Sequence, residues 1–154
     1  PSYEQLIRAE DDRGELNHYL NTESGFQFLK QIQSRNQVVP VVGDFAGPKA
    51  VRSVGEYLQD RGYVVSAFYL SNVESYLFQD GKFPVFVDNL RYLPMDRDSV
   101  MIRSYFNYRR RHPQTRPGFV VTSILQRLES FLELQAERPY RNYWDVASRD
   151  FIAR

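Results

Sequence analysis

The chain of 154 residues carries 20 Lys+Arg against 19 Asp+Glu, 42% hydrophobic residues and no cysteine. That suits one domain with its own core and excludes a disordered chain, a disulfide framework, a thiolate metal site and a cysteine nucleophile. Two histidines, His18 and His112, exclude a histidine-rich metal site, no apolar run reaches the ~20 residues of a membrane span, and a net charge of +1 argues against a general nucleic-acid binder.

In chain order, residues 1–21 are polar, with Tyr3, Leu6 and Ile7 as a short apolar set and a helix-breaking Glu10-Asp11-Asp12-Arg13-Gly14 run. They read as a lead-in, and residues 22–154 as the α/β domain proper. Phe26, Leu29 and Ile32 set a helical period from Thr22 to about Asn36, with Thr22 or Asn21 as cap. Residues 37–43 read as a buried strand, although Pro40 removes a ladder donor. A turn at Gly43–Pro48 leads into a helix from Pro48 to about Asp60 that buries Val51, Val54, Tyr57 and Leu58. A second strand is predicted over 63–70, then a short helix carrying Val73, Tyr76 and Leu77. A helix with the stripe Phe83, Phe86, Val87 and Leu90 follows, and a third strand over 99–106. Asn107–Gly118 is a basic loop containing Arg109-Arg110-Arg111-His112-Pro113. Residues 119–121 read as a fourth strand, residues 123–136 as a helix, and the tail as one more short helix carrying Trp144. Of the 20 basic residues, 17 are arginine, and 23 residues are aromatic. Arginine supplies bidentate anion contacts, and an aromatic surplus marks surfaces that pack on something else.

Apolar strands alternating with helices predict a three-layer Rossmann-like α/β fold: a mostly parallel sheet of three or four strands with helices on both faces. Three or four such strands are about half of a doubly wound sheet. Ligands of open parallel sheets bind beyond the carboxyl ends of the strands, so the polar residues there are the candidates. The first strand delivers Gly43 and Asp44, with Gly47 in the same turn; the second delivers Tyr69, Ser71, Asn72 and Glu74; the third delivers Arg103, Ser104 and Tyr105. Asp44, Asn72 and Arg103 are expected to share one cleft as the chemical centre, the others binding ligand around them. Each has a plainer alternative. Asp44 also suits a turn aspartate, Ser71 with Glu74 suits a capping box, and Arg103 suits a buried pair with Asp44. His112, in the basic loop, is a further ligand-binding candidate as an imidazole able to titrate near neutrality beside the arginines, and it also suits an ordinary solvated loop. Trp144 with Tyr140 and Tyr143 suits either a stacking platform or a staple that holds the tail to the core. Neither a Walker motif nor a G-x-G-x-x-G fingerprint is present.

The segments Val38–Ala50, Ala67–Glu74 with Tyr76-Leu77, Ile102–Phe106, His112-Pro113 and Tyr143-Trp144-Asp145 resemble an uncharacterised bacterial family. Its longer members resemble class I S-adenosylmethionine-dependent methyltransferases. The resemblance runs from about Tyr19 to Asp150 and implies the second, acceptor-facing half of that fold, with Asp44 near the acceptor and residues 3–20 as a connector between halves. It implies that S-adenosylmethionine is gripped mainly by a glycine-rich loop in the other half, which would come from the chain's own N-terminal half or another protein chain. Two other readings stand beside it. One is a non-catalytic accessory subunit of a larger assembly; the other is an anion- or nucleotide-binding module built on the Asp44–Gly47 turn and Arg103. A cytoplasmic location is expected, with no DNA partner, no membrane span and no metal.

Overall fold

A computed structural model describes residues 2–11, 13–16, 18, 19 and 21–153, the side chain of Leu6 excepted. The predicted helix breaker Asp12 and the connector's end at residue 20 lie outside the described residues. The chain divides into one unit ending at Val41 and another beginning at Val42.

The first unit holds helices α1 (Tyr3–Ile7) and α2 (Glu23–Ser34) and an antiparallel bridge between Glu10 and Leu16. Thr22 caps α2, its hydroxyl accepting the Gly25 N–H at 3.0 Å, while Glu23 complements the positive end of the helix dipole. None of the described residues of this unit is buried.

The second unit carries the core. In order it forms α3 (Ala50–Asp60), β1 (Ala67–Ser71), α4 (Val73–Gln79), α5 (Phe83–Leu90), β2 (Val100–Phe106), β3 (Val121–Arg127), α6 (Leu128–Glu137) and α7 (Tyr143–Ser148). Phe83 lies at the centre of the core. It stacks on Phe78 at 3.9 Å between ring centroids and meets Phe131 and Tyr140 edge-on, with Phe86 and Leu90 fully buried on the same face of α5. Burying each such side chain contributes about 1.5–3 kcal/mol. A Cβ at Gly55 of α3 would run into the backbone carbonyl of Tyr92, so glycine there permits the close approach of α3 to the chain leaving α5.

The sheet corrects the expected Rossmann-like architecture. It has three strands in the order β1-β2-β3; β1 pairs with β2 in parallel, and β2 pairs with β3 antiparallel, Arg103 facing Ile124. The predicted strand over 37–43 forms no strand. Val38, Val39, Val41 and Val42 are all exposed, and Pro40 withholds the amide a ladder there would need. The region read as the start of a helix at Ser123 is β3, and helix begins only at Leu128. The reason is the connection: residues 107–120 contain no helix, and a short helix-free link joins antiparallel neighbours, whereas a parallel return needs a crossover. Only one face of the sheet is sealed. Met101, Arg103 and Tyr105 of β2 and Thr122, Ile124 and Gln126 of β3 are buried, while their alternate neighbours are half-buried or, at Ser123, exposed. Helices on both faces are therefore also corrected. Among the described residues no helix is long and apolar enough to cross a membrane.

Candidate functional site

The parallel pair brings the carboxyl ends of β1 and β2 side by side. Immediately beyond them lies a cleft of about 550 Å³, a volume usual for small-molecule sites. One wall is helical: Asn72, Ser75 and Gln79 recur at three- and four-residue spacing along α4. The floor is the end of β2, Tyr105 and Phe106, continued by Tyr108 and Arg109 of the basic loop. The far wall is Asn142 with the first residues of α7, Tyr143 and Trp144.

Tyr143 fixes that wall. Its hydroxyl donates to the Ser104 carbonyl at 2.7 Å, with the Ser71 carbonyl at 3.4 Å, so one side chain latches α7 to the ends of both parallel strands. Burial first, and then the nearby Glu74 carboxylate, hold this phenol far above its usual range, so it stays a donor. Asn142 caps α7 by accepting the Asp145 N–H at 3.0 Å. Tyr105 packs against Tyr143 and meets Trp144 at 5.3 Å, edge to face, while the Arg110 guanidinium lies 3.9 Å over the Trp144 ring. Burial also raises the Tyr105 phenol, with Arg110 acting in the opposite sense, and its hydroxyl has no hydrogen bond among the described residues. The same holds for the Gln79 amide.

Of the three residues expected to share a cleft, only Asn72 lines this one. Arg103 and Glu74 are fully buried beneath it, as a bidentate pair: Nε to Oε2 at 2.7 Å and Nη2 to Oε1 at 3.0 Å. Arg103 also donates to Gln126 Oε1 at 2.7 Å, and Gln126 donates to the Tyr140 hydroxyl at 3.1 Å and the Arg149 carbonyl at 3.3 Å. This network satisfies its own polar atoms and ties α4, β2, β3 and the tail together. It corrects two expectations: the carboxylate that holds Arg103 is Glu74, not Asp44, and Glu74 closes no capping box. Asn72 takes the cap position of α4, without a side-chain cap bond. Ser71, just before it, sits at φ 52°, in the left-handed region unfavourable to a side chain.

Asp44 pairs with Lys82 at 2.9 Å and accepts the Ala46 N–H at 2.9 Å. Its hydrogen bond with Lys82, then that with Ala46, pulls its carboxyl below the usual range. It is a half-exposed turn aspartate and does not line the cleft. The glycines beside it answer to the chain itself: a Cβ at Gly43 would collide with Ala50, and one at Gly47 would press on Asp44. Tyr69 is 65% exposed and lies outside the cleft lining. His112 is not solvated. Nδ1 accepts the Gln114 N–H at 3.2 Å, so Nε2 carries the proton and donates to the Ala147 carbonyl at 2.9 Å, and the ring abuts Phe151 at 4.7 Å. Burial lowers its pKa, the bond to Ala147 opposing.

Ser75, Gln79, Tyr108 and Asn142 escaped the sequence reading. The helical spacing of Asn72, Ser75 and Gln79 was a usable signal for the first two, and Asn142 adjoins the quoted Tyr143-Trp144 pair; Tyr108 had none. Among the described residues no group of three His, Asp or Glu could hold a metal ion.

Residues 2–151 match a domain of unknown function, DUF7790. The chain belongs to that family. A search of curated proteins finds no match. Within this DUF7790 domain, the aromatic cleft at the ends of β1 and β2 combines space with a phenol and an amide that make no hydrogen bond among the described residues.

Proposed function

We propose that this DUF7790 domain is a binding module for a small, ring-bearing ligand held in the aromatic cleft. The observation that supports this reading best is the composition of the cleft. Five aromatic side chains and three amides converge beyond the carboxyl ends of two parallel strands, and the lining includes no carboxylate, histidine or lysine to act as general base. Aromatic faces supply stacking at low entropic cost, and the Gln79 amide and Tyr105 hydroxyl, which make no hydrogen bond among the described residues, supply polar contacts.

The resemblance to methyltransferase-like proteins enters here as a second reading, in which the same cleft receives the methyl acceptor. Its position off the parallel strand ends favours that. The residues present do not fit S-adenosylmethionine itself. The only turn with glycines on both sides of an acidic residue, Gly43–Gly47, uses them to pack against Ala50 and Asp44, and no glycine-rich loop offers backbone to a cofactor.

Trp144 is the only tryptophan, so its emission reports on the cleft alone. A panel of neutral heteroaromatic and phenolic compounds titrated against it is expected to give at least one saturable response. Tyr108→Ala, at a position 77% exposed, is expected to weaken that ligand up to about tenfold, the worth of one aromatic contact. A panel without any saturable ligand, or a ligand indifferent to Tyr108, would overturn the reading.

A further inference from the structure

The cleft has a second chemical character that ring binding leaves unused. Arg109 is part of its lining, is exposed, and makes no ion pair or hydrogen bond among the described residues. Arg110 stands over Trp144, and Arg111 is exposed beside it. Two carboxylates that adjoin the lining in sequence are already committed: Glu74 is buried against Arg103, and Asp145 pairs with Arg149 at 2.8 Å and accepts the Arg141 N–H. Nothing in the lining offsets the positive charge at the mouth. A guanidinium left without an acidic partner beside an aromatic floor suits a ligand with a planar ring at one end and an oxyanion at the other. The Gln79 amide offers a donor and an acceptor, and the Asn72 and Asn142 amides, whose oxygens already accept from Ser71 and Asp145, each offer a donor, groups that a base edge or a ribose can meet.

We infer that the cleft takes a nucleoside monophosphate, its base among the aromatic side chains and its phosphate on Arg109. This rests on the reading of the cleft as a ring-binding site. The charge on the ligand is the added content, so the test compares ligands that differ only in charge.

The full chain is titrated by calorimetry and by Trp144 emission with AMP, GMP, CMP and UMP, each beside its nucleoside, and with phenyl phosphate. At least one monophosphate is expected to bind tenfold or more tightly than its nucleoside. In Arg109→Ala that advantage, read as the ratio of the two dissociation constants within the variant, should vanish; the side chain is exposed and makes no ion pair or hydrogen bond among the described residues, so the fold is not at stake. Phenyl phosphate should bind more weakly than the best monophosphate, having no base edge or ribose. Equal affinity within all four pairs, an advantage that survives Arg109→Ala, or phenyl phosphate matching the nucleotides would each overturn the inference and leave the ring-binding reading standing. If none of these probes binds, the inference fails; if the neutral panel is silent too, the ring-binding reading fails with it.

Discussion

Arg103 is the residue on which the second unit turns. A guanidinium with no exposure is tolerable only because Glu74, Gln126 and the Met101 sulfur surround it. Removing one partner leaves the other charge buried and alone, at a cost of about 3–5 kcal/mol. Glu74→Ala is therefore expected to lower denaturant stability by that amount, and Glu74→Ala with Arg103→Met together to cost less than Glu74→Ala alone; a double-mutant cycle in urea measures both. His112 makes a pH prediction. Its folded pKa lies below the unfolded value, because burial disfavours the cation and Nδ1 already accepts a hydrogen bond. The unfolded chain then binds more protons, so this stabilisation is complete above the unfolded pKa near 6.5 and is lost as pH falls toward the folded one. Urea midpoints measured between pH 7.5 and 5 are expected to fall on acidification, with a shallower fall in His112→Gln. Neither residue's surroundings were legible in the sequence. A run such as Ile102-Arg103-Ser104 announces a buried or terminal arginine, but the choice between Asp44 and Glu74 depends on strand order, which local pattern does not encode.

At the scale of elements, most helices and the parallel pair β1–β2 were legible, and the segment over 37–43 and the strand β3 were not. Stripes such as Phe83, Phe86, Val87 and Leu90 have one helical solution, and α5 follows it. The valines at 38, 39, 41 and 42 have strand propensity, but a strand also requires a neighbour, and none takes up that segment. In β3, Ile124, Leu125 and Leu128 satisfy a helical spacing by coincidence; alternate burial of Thr122, Ile124 and Gln126 shows the period of two that prevails. The cleft was half legible. Its location beyond the strand ends followed from the parallel β1–β2 pair, whereas its aromatic wall came from α7, whose docking depends on Tyr143. Tyr143→Phe removes the bond to the Ser104 carbonyl, a loss of about 0.5–1.5 kcal/mol. Amide exchange in 143–148 is expected to quicken more than in β2, and ligand affinity in the cleft to fall; unchanged exchange would show that α7 docks without the latch.

The whole molecule is unequal along its length. Every buried apolar side chain among the described residues lies between Val51 and Ala147. Aromatic residues line the cleft as well as the core, which is why composition alone could flag a surplus without saying where it lay. The methyl donor is a test at this scale. Micromolar binding needs about 8 kcal/mol, and no segment of the 154 residues offers the glycine-rich backbone contacts that hold S-adenosylmethionine in methyltransferase folds. Calorimetric titration of this chain with S-adenosylmethionine is expected to show no binding at or below the micromolar level; a tighter dissociation constant would mean that the cleft accepts the cofactor by a route of its own.

The mixed sheet also carries an order in time. β2 reaches β3 across the 14 residues 107–120, but reaches β1 across the 28 residues 72–99, which must first wind into α4 and α5. Doubling a flexible loop adds only about 0.6 kcal/mol to its closure, yet the longer segment has two helices to form and dock before its ends can meet. The antiparallel pair, with the shorter and helix-free connection, is thus expected to form before the parallel pair that carries the cleft at its end. Pulse-labelled amide exchange during refolding is expected to protect the β2–β3 ladder before the amides of β1, and simultaneous protection would show that the two pairings form together.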